Sequence, residues 1–388
     1  MQLNISASIV LAIIHYYDES YMIIQISENF SEVFKTSMGV RQGGVLSPKL
    51  FAIFVDELLR DLEATELGIK IGETRITAIM YADDLLLITE TKTRMKKLLE
   101  VTETYGTNHG IKFNPDKTEL LIFNHAIKRN LDSRRLDDWQ GDLILSGHPI
   151  NVVSSIRYLG SWLNDKLNAK DHIVKRRSTA YCAYNRVKKL GFSSIHTSAR
   201  LKGNMYKVYI RTVGLYGIEN FSLKQSELNK LTRIEANIIK KMMNIPKYCL
   251  NSDLLRALSI EFTEEKYKIY KLDFFARIQA NPFTNELYRE LEALNIKGSY
   301  PNQINELISS FGDVRHYDGR SFTVSEKVAI LSQTLKSFGD SVAKESVHVE
   351  LIKRIFKVNK RESIPYFLYF YLNSKGSNTF WYNSNEDH

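Results

Sequence analysis

The sequence predicts an α+β protein, and three observations support that fold class. Short apolar runs alternate with helical repeats over residues 1–124, which favours strands and helices that share a sheet. Residues 165–250 place apolar side chains every three or four positions, a pattern typical of packed helices. Hydrophobic residues make up 44% of the 388-residue chain, which suits a globular protein with a large core.

Helix and strand signals follow one another through the first part of the chain. Ser47-Pro48 predicts a helix start, with serine as N-cap and proline at the first helical position, and Gly110 predicts a helix end. The predicted helices are residues 4–15, residues 47–64 and residues 91–109, and we expect the apolar stretch at 7–17 to lie in a buried helix. The predicted strands are two between residues 21 and 34 with a turn at 27–29, then 69–71, 79–81, 85–88 and 120–123.

The remaining chain changes from strand to helix patterns. A charged stretch at 125–142 predicts an exposed loop, and residues 143–145 and 150–163 predict strands around a turn at 147–149. Helical spacing then continues from 165 to 245, where Pro246 ends it. The aromatic run at 366–372 predicts a buried element.

Two adjacent carboxylates, Asp83 and Asp84, lie between two apolar runs of strand length. Such runs predict buried strands, and an aspartate pair between them predicts the turn of a hairpin. Aspartate is common in turns for conformational reasons alone, so the pair does not establish chemistry without its neighbours.

The positive charge of the chain is concentrated in one segment. Residues 161–250 carry 18 basic and 5 acidic side chains, a net +13 against +9 for the whole chain. Such a surplus is the electrostatic footprint expected for a phosphate backbone. Interleaved basic and aromatic residues predict a groove that follows a nucleic-acid strand. They are Lys166, Lys170, Lys175, Arg176, Arg177, Arg186, Lys188, Lys189, Arg200, Lys202, Lys207 and Arg211 with Tyr181, Tyr184, Tyr206 and Tyr209.

Cysteine content and hydropathy exclude other classes. Cys182 and Cys249 are the only cysteines, too few for a Cys-rich zinc site or a secreted disulfide scaffold. The apolar stretch at 7–17 is too short to span a bilayer, so we expect no membrane partner.

Four segments in order resemble one enzyme family, the reverse transcriptases, and their non-LTR (LINE-type) retrotransposon members above all. Tyr81-Ala82-Asp83-Asp84 resembles the family's active-site signature. Residues 39–51, which contain Gln42-Gly43-Gly44, resemble its Gln-Gly segment, and residues 110–118 resemble its Asn…Lys-Thr segment. Residues 157–160, Arg-Tyr-Leu-Gly, are similar to its primer-grip hairpin.

The resemblance implies a polymerase palm, with helices packed on an antiparallel sheet, followed by a mostly helical thumb and C-terminal region. It implies RNA-directed DNA polymerisation through two metal ions. Asp83 and Asp84 would be the catalytic metal ligands, for Mg²⁺ or Mn²⁺. The implied nucleotide- and template-binding residues are Arg41, Gln42, Gly43, Gly44, Tyr81 and Lys117. Tyr158, Leu159 and Gly160 would grip the primer, and Lys175, Arg176, Arg177, Lys188 and Lys189 would contact the nucleic-acid backbone.

The implied partners are an RNA template, a DNA primer and deoxynucleoside triphosphates, with an intracellular, nuclear location. The family carries a further catalytic aspartate on a strand well before the Gln-Gly segment. Asp18 leaves no room for the helix that separates the two in the family, so we do not assign it that role. We therefore expect an N-terminally truncated enzyme, which lacks the fingers, the upstream palm and any endonuclease.

The expected domains are a partial palm at 1–124, a connecting loop and primer-grip-like hairpin at 125–164, a basic helical thumb at 165–250, and a mostly helical region of unknown role at 251–388. Two alternatives remain open. One is a nucleic-acid-binding remnant without catalysis, and the other is an enzyme of the intron-maturase type, which shares the aspartate pair.

The first prediction concerns catalysis. The 388-residue chain is expected not to extend a DNA primer on an RNA template at a measurable rate, because Asp83 and Asp84 alone do not fix two cations in reactive geometry. Incorporation of deoxynucleotides with Mg²⁺ or Mn²⁺ measures this directly. Incorporation that disappears in Asp83→Ala would contradict the prediction.

Overall fold

The computed structural model describes residues 5–36, 39–123, 141–194, 196–258 and 260–310. These residues form two compact units. The first takes residues 5–69 and 75–112, and the second takes residues 70–74 with everything described from 113 onward. Residues 70–74 go with the second unit, where the Glu290 carboxylate accepts hydrogen bonds from the backbone amides of Glu73 and Thr74 at 3.0 and 3.2 Å.

The first unit contains three helices and several short strands. Its elements are α1 (Ala7–Asp18), β1 (Tyr21–Met22), β2 (Gln25–Ile26), β3 (Asn29–Phe30), β4 (Phe34–Lys35), α2 (Ser47–Ala64), β7 (Ala78–Tyr81), β8 (Asp84–Leu87) and α3 (Lys92–His109). Strands β5 (Ile69–Ile71) and β6 (Thr74–Ile76) form a hairpin between α2 and β7. The predicted helices at 47–64 and 91–109 and the strand at 69–71 are confirmed.

Helices α2 and α3 form the core of the first unit. Apolar side chains one or two turns apart line the face that each helix presents to the other. Leu58, Leu62 and Leu98 lie on these faces and are fully buried. The Tyr105 hydroxyl donates to the Phe54 carbonyl at 2.6 Å and so ties the two helices together. The Thr91 hydroxyl caps the start of α3, and Gly110 ends it in a left-handed conformation.

Two predictions about helices were wrong. Helix α1 has no buried residue, and Ile9, Leu11 and Ile14 are each about half exposed. The periodicity of apolar residues shows which face of a helix is apolar but not which element covers that face. No described element covers the apolar face of α1. Ser47 is not an N-cap but the first residue of α2, and its hydroxyl donates to the Arg41 carbonyl at 2.6 Å.

The sheets differ from the expected palm sheet. Every sheet among the described residues has two strands, and the pairing of β9 (Glu119–Leu121) with β12 (Asn151–Val153) is parallel rather than antiparallel. Strands of two to four residues form only a few ladder hydrogen bonds, which limits how far each sheet grows. The mixed helix-and-strand class is confirmed at that coarser level.

The second unit is mostly helical. Its strands besides β9 and β12 are β10 (Ile144–Leu145), β11 (His148–Pro149), β13 (Ser155–Tyr158) and β14 (Ser161–Asn164). Its helices are α4 (Lys170–Lys189), α5 (Ala199–Met205), a π-helix (Tyr206–Arg211), α6 (Thr212–Gly214), α7 (Gln225–Met243), α8 (Asn251–Ala257), α9 (Thr263–Ala280), α10 (Pro282–Ala293) and α11 (Tyr300–Ser309). The predicted helical stretch at 165–245 is confirmed, although α7 ends at Met243 with Asn244 left-handed, before Pro246.

A buried charged network holds the π-helix against its neighbours. The Arg211 guanidinium lies 2.9 Å from Glu235 Oε1 on α7 and donates to Glu261 Oε2 at 2.7 Å. The Tyr206 hydroxyl donates to the same Glu235 oxygen at 2.6 Å. Burial and the Glu235 charge raise the pKa of Tyr206 well above its usual range. The attraction between the buried opposite charges offsets part of the cost of removing each from water, and removing one partner would leave the other charge uncompensated.

Two expectations fall outside the described residues. They are the exposed loop at 125–142, apart from residues 141–142, and the buried aromatic run at 366–372. Among the helices that the structure does describe, none is both long enough and apolar enough to cross a membrane.

The second prediction concerns stability. Arg211→Met is expected to lower the free energy of unfolding by about 3–5 kcal/mol, because it leaves the Glu235 carboxylate buried without its cation. Replacing both partners, Arg211→Met with Glu235→Leu, is expected to recover most of that loss. Urea unfolding monitored by circular dichroism measures both. The control is the exposed Arg233→Met on α7. An equal loss in the single and double variants would contradict this account.

Candidate active-site hairpin and nucleic-acid interface

The aspartate pair lies at the tip of the β7–β8 hairpin. The antiparallel register pairs Ala78 with Leu87 and Tyr81 with Asp84, so the two-residue turn is Ala82-Asp83. Ala82 has φ +53°, the left-handed conformation that tight hairpin turns require at this position. The hairpin is confirmed, but the turn begins one residue earlier than the aspartate pair, and Asp84 is the first residue of β8.

This hairpin exposes its tip. Tyr81, Ala82, Asp83 and Asp84 are all exposed, and Tyr81 keeps 65% of its surface. Tyr81 and Asp84 are direct cross-strand partners, so their side chains share one face of the hairpin. The prediction that both strands are buried was wrong, since Ile79 is 43% exposed.

The side chains at this tip supply some, but not all, of the ligands that a divalent cation such as Mg²⁺ needs. Exposed carboxylate oxygens are the ligands that Mg²⁺ prefers, completed by water and phosphate oxygens. Across the described ranges, however, no three His, Cys, Asp or Glu side chains come together in a group that could hold a metal ion. The pair therefore supplies the right kind of ligand but not a complete protein shell.

The Gln-Gly segment forms the turn that leads into α2. The Gly44 amide donates to the Arg41 carbonyl at 3.0 Å, and Gly43 has φ +79°. A Cβ on Gly44 would lie 2.6 Å from Ser47 Oγ, so both glycines are explained by the turn itself. Arg41 and Gln42 are exposed, and the Arg41 guanidinium donates to the Tyr16 hydroxyl at 3.1 Å.

Lys117 ends a short 3₁₀ helix, Pro115–Lys117, in the second unit. The Asn114 side chain fixes this turn by accepting a hydrogen bond from the Asp116 amide at 3.0 Å. The lysine is exposed and directly precedes Thr118 and β9.

The segment that resembles a primer grip is the β13–β14 hairpin. Tyr158 pairs with Ser161, and the two-residue turn is Leu159-Gly160, with φ +44° and +82°. The Leu159 carbonyl accepts a hydrogen bond from the Tyr216 hydroxyl at 3.0 Å. The Gly160 carbonyl accepts one from the Arg176 guanidinium, which lies 4.8 Å from the Tyr216 ring centre.

His172 on α4 joins the same hairpin to the segment around Tyr216. Its Nδ1 accepts a hydrogen bond from the Trp162 amide at 3.2 Å, so the ring proton lies on Nε2. Nε2 donates to the Tyr216 carbonyl at 2.9 Å. Burial lowers the pKa of His172 to about 4, so the imidazole is neutral at physiological pH.

The proposed backbone-contacting residues differ in exposure. Lys175, Arg177, Lys188 and Lys189 on α4 are exposed, and the Lys175 ammonium lies 4.5 Å from the Trp162 ring centre. Arg176 is half-buried because it is bonded to the hairpin turn, and burial lowers its pKa.

Four of the residues expected in a nucleic-acid groove lie elsewhere. Tyr184 and Tyr206 belong to the hydrophobic core, and Lys202 and Arg211 are almost fully buried. The prediction that they line a surface groove was wrong, because apolar helical spacing and the Glu235 carboxylate draw them inward. Sequence reasoning missed His172 and Tyr216, since neither belongs to a motif and their roles arise only from contacts across the chain.

Comparisons with known proteins show what the chain is similar to. Residues 4–163 match the family model described as reverse transcriptase (RNA-dependent DNA polymerase). The RNA-directed DNA polymerase from mobile element jockey of Drosophila melanogaster is 22% identical over 298 residues, which cover 75% of this chain and 31% of that protein. The Pol polyprotein from type-1 retrotransposable element R2 of Popillia japonica is 37% identical over 213 residues, 53% of this chain and 28% of that protein.

The chain spans less than a third of the length of these relatives. Residues 4–163 form a reverse transcriptase domain. The relatives that match the chain are named for mobile elements, jockey and R2 among them.

The third prediction concerns the pH dependence of stability. An unfolded histidine binds a proton near pH 6.5, whereas folded His172 does so only near pH 4. The unfolded chain therefore binds more protons in this window, so the contribution of His172 is present above pH 6.5 and is lost as the pH falls toward 4. The loss amounts to about 3 kcal/mol.

Urea unfolding between pH 7 and pH 4 tests this, with His172→Gln as the comparison because glutamine does not titrate. The wild-type free energy is expected to fall more steeply than that of the variant, whatever their absolute difference at pH 7. Parallel pH profiles would show that His172 is not held neutral in the folded protein.

Proposed function

We propose that this chain is the polymerase module of an RNA-directed DNA polymerase, the reverse transcriptase of a non-LTR retrotransposon. The observation that carries the proposal is the β7–β8 tip, which exposes Asp83 and Asp84 together beside Tyr81 within a reverse transcriptase domain. The relatives carry this activity in their names, and the proposal extends it to this chain.

Reverse transcriptases use divalent metal ions. In the proposal, Asp83 and Asp84 would hold Mg²⁺ or Mn²⁺, and the bound cation would supply electrostatic stabilisation for nucleotidyl transfer. The protein's contribution is the fixed hairpin tip, whose two-residue turn and cross-strand pairing hold both carboxylates in one place. Phosphate and water oxygens complete the shell that the pair leaves open.

The nucleotide- and template-binding role falls to exposed groups next to glycine-rich backbone. In the first unit these are Arg41, Gln42, Gly43 and Gly44, where the absence of side chains permits close approach to a base or sugar. In the second unit, Lys117 presents an ammonium that suits the phosphates of a deoxynucleoside triphosphate.

The second unit would bind the DNA primer and RNA template. Supporting this, the exposed face of α4 carries Lys175, Arg177, Lys188 and Lys189, and no acidic residue occurs between residues 172 and 218. The proposed domains are a palm at 1–124, a connector and primer grip at 125–164, a thumb at 165–250 and a region of unassigned role at 251–388. A nuclear site of action is part of the same proposal.

A second candidate is nucleic-acid binding without catalysis. It is favoured by one observation: within the described part of the chain, Asp83 and Asp84 are not joined by a third metal-binding side chain. The intron-maturase alternative finds less support, since the relatives are named for mobile elements such as jockey and R2.

The fourth prediction tests the metal role. Mn²⁺ binding to the chain alone is expected to be weak, with a dissociation constant on the order of 10⁻³ M, because only two carboxylates are available. Adding a DNA primer annealed to an RNA template is expected to tighten binding through phosphate ligands. Electron paramagnetic resonance of free Mn²⁺ measures both.

The variant Asp83→Asn with Asp84→Asn is expected to abolish this tightening. It is also expected to retain thermal stability, because close like charges repel each other. The exposed Asp116→Asn is the matched control. Equal Mn²⁺ uptake by wild type and double variant, with nucleic-acid binding intact in both, would overturn the metal role and leave the binding-only candidate.

A further inference from the structure

We propose that Tyr216 and Arg176, supported by His172, are positioning residues that aim the backbone amide of Gly160 at a phosphate of the primer strand. The inference rests on the proposed primer-gripping role of the β13–β14 hairpin and assigns the side chains that set its geometry.

Both carbonyl groups of the turn are held from the helical side. The Tyr216 hydroxyl donates to the Leu159 carbonyl at 3.0 Å. The Arg176 guanidinium donates to the Gly160 carbonyl and, at 3.4 Å, to the Val213 carbonyl. The turn is therefore fixed by two side chains from elements 16 and 57 residues away.

The geometry of the peptide bond determines where the amide points. All described peptide bonds are trans, so the Gly160 N–H is directed opposite to the Leu159 carbonyl. Because Tyr216 holds that carbonyl, the N–H faces away from the helices. Neither the Leu159 nor the Gly160 amide donates a hydrogen bond to any described residue. Successive left-handed turn residues with free amides form the kind of concave backbone site that binds anions.

The position of Tyr216 is itself fixed. His172 donates to the Tyr216 carbonyl and accepts from the Trp162 amide on β14, so it locks the segment around Tyr216 to the hairpin. A Cβ on Gly160 would lie 3.0 Å from the Tyr216 ring, and one on Gly217 would lie 2.7 Å from Ser161 Oγ. The close approach leaves the turn little freedom to re-aim its amide.

Charge also favours a phosphate at this place. Arg176 stacks on the Tyr216 ring at the back of the turn, and the exposed Lys175 lies over Trp162 at its side. Glu219 is the acidic residue that acts on Arg176 from the neighbouring segment, and Arg157 is a further cation close to it. The surroundings of the turn are thus cationic, as an anionic ligand requires.

The test compares the full chain with two variants that keep its net charge, Tyr216→Phe and Arg176→Lys. The matched control is Arg233→Lys on α7, an exposed arginine outside the β13–β14 hairpin and the helix that holds it. The probes are a DNA primer with a recessed 3′ end on RNA and a blunt hybrid of equal length. Fluorescence anisotropy at one fixed salt concentration gives the affinity ratio between the two.

Wild type and Arg233→Lys are expected to prefer the recessed end. Each of the other two variants is expected to reduce that preference by about fivefold, the effect of one net hydrogen bond, while affinity for the blunt hybrid and thermal stability stay unchanged. A neutral methylphosphonate at the primer's terminal linkages is expected to remove the preference in wild type and to cause no further loss in Tyr216→Phe.

The outcomes distinguish a failure of the primer-gripping role of the hairpin from a failure of the positioning role of Tyr216 and Arg176. If wild type shows no preference for a recessed end, the primer-gripping role fails. If wild type prefers it and Tyr216→Phe and Arg176→Lys retain the full preference, the positioning role is overturned. An equal loss in Arg233→Lys, or a loss that follows falling stability, would also overturn it, because the effect would then be general rather than specific to the turn.

Discussion

The second unit depends on how the two carbonyl groups of the Leu159-Gly160 turn are satisfied. They accept from Tyr216 and Arg176, and the neutral His172 ties Tyr216 back to β14. This closed set of contacts joins a hairpin, the long helix α4 and the segment at 212–220, which lie far apart in sequence. Each carbonyl is held by its own side chain, so the turn is rigid without a large core of its own, and removing either contact frees that carbonyl.

The basic surplus of residues 161–250 serves two different purposes. Arg211 is buried against Glu235 and Glu261, and the Lys240 ammonium donates to the carbonyls of Lys247 and Cys249. These cations stabilise the fold and are not accessible to a ligand. The remaining exposed cations on α4 form the surface that can attract phosphate groups. The net charge of the segment therefore indicates a partner that carries phosphate groups, while burial determines which cationic side chains can contact that partner.

Much of the local structure follows from the sequence. Glycine and proline signals predicted α2 and α3, the apolar runs on either side of Asp83-Asp84 predicted one hairpin, and the resemblance of residues 157–160 to a primer grip indicated the other. What could not be predicted depends on contacts distant in sequence. The exposure of α1, the parallel pairing of β9 with β12 and the inward turn of Arg211 are set by what lies opposite each element. The same holds for His172, whose neutral state comes from burial and not from its neighbours along the chain.

The most direct test of the central claim, that this reverse transcriptase domain receives a primer end at the Leu159-Gly160 turn, is photocrosslinking. A primer with 4-thiothymidine at its 3′-terminal nucleotide, annealed to RNA, is irradiated with the full chain, and the crosslinked peptide is identified by mass spectrometry. The account predicts a crosslink within residues 155–164. Crosslinks confined to other peptides, such as the exposed basic face of α4, would contradict it.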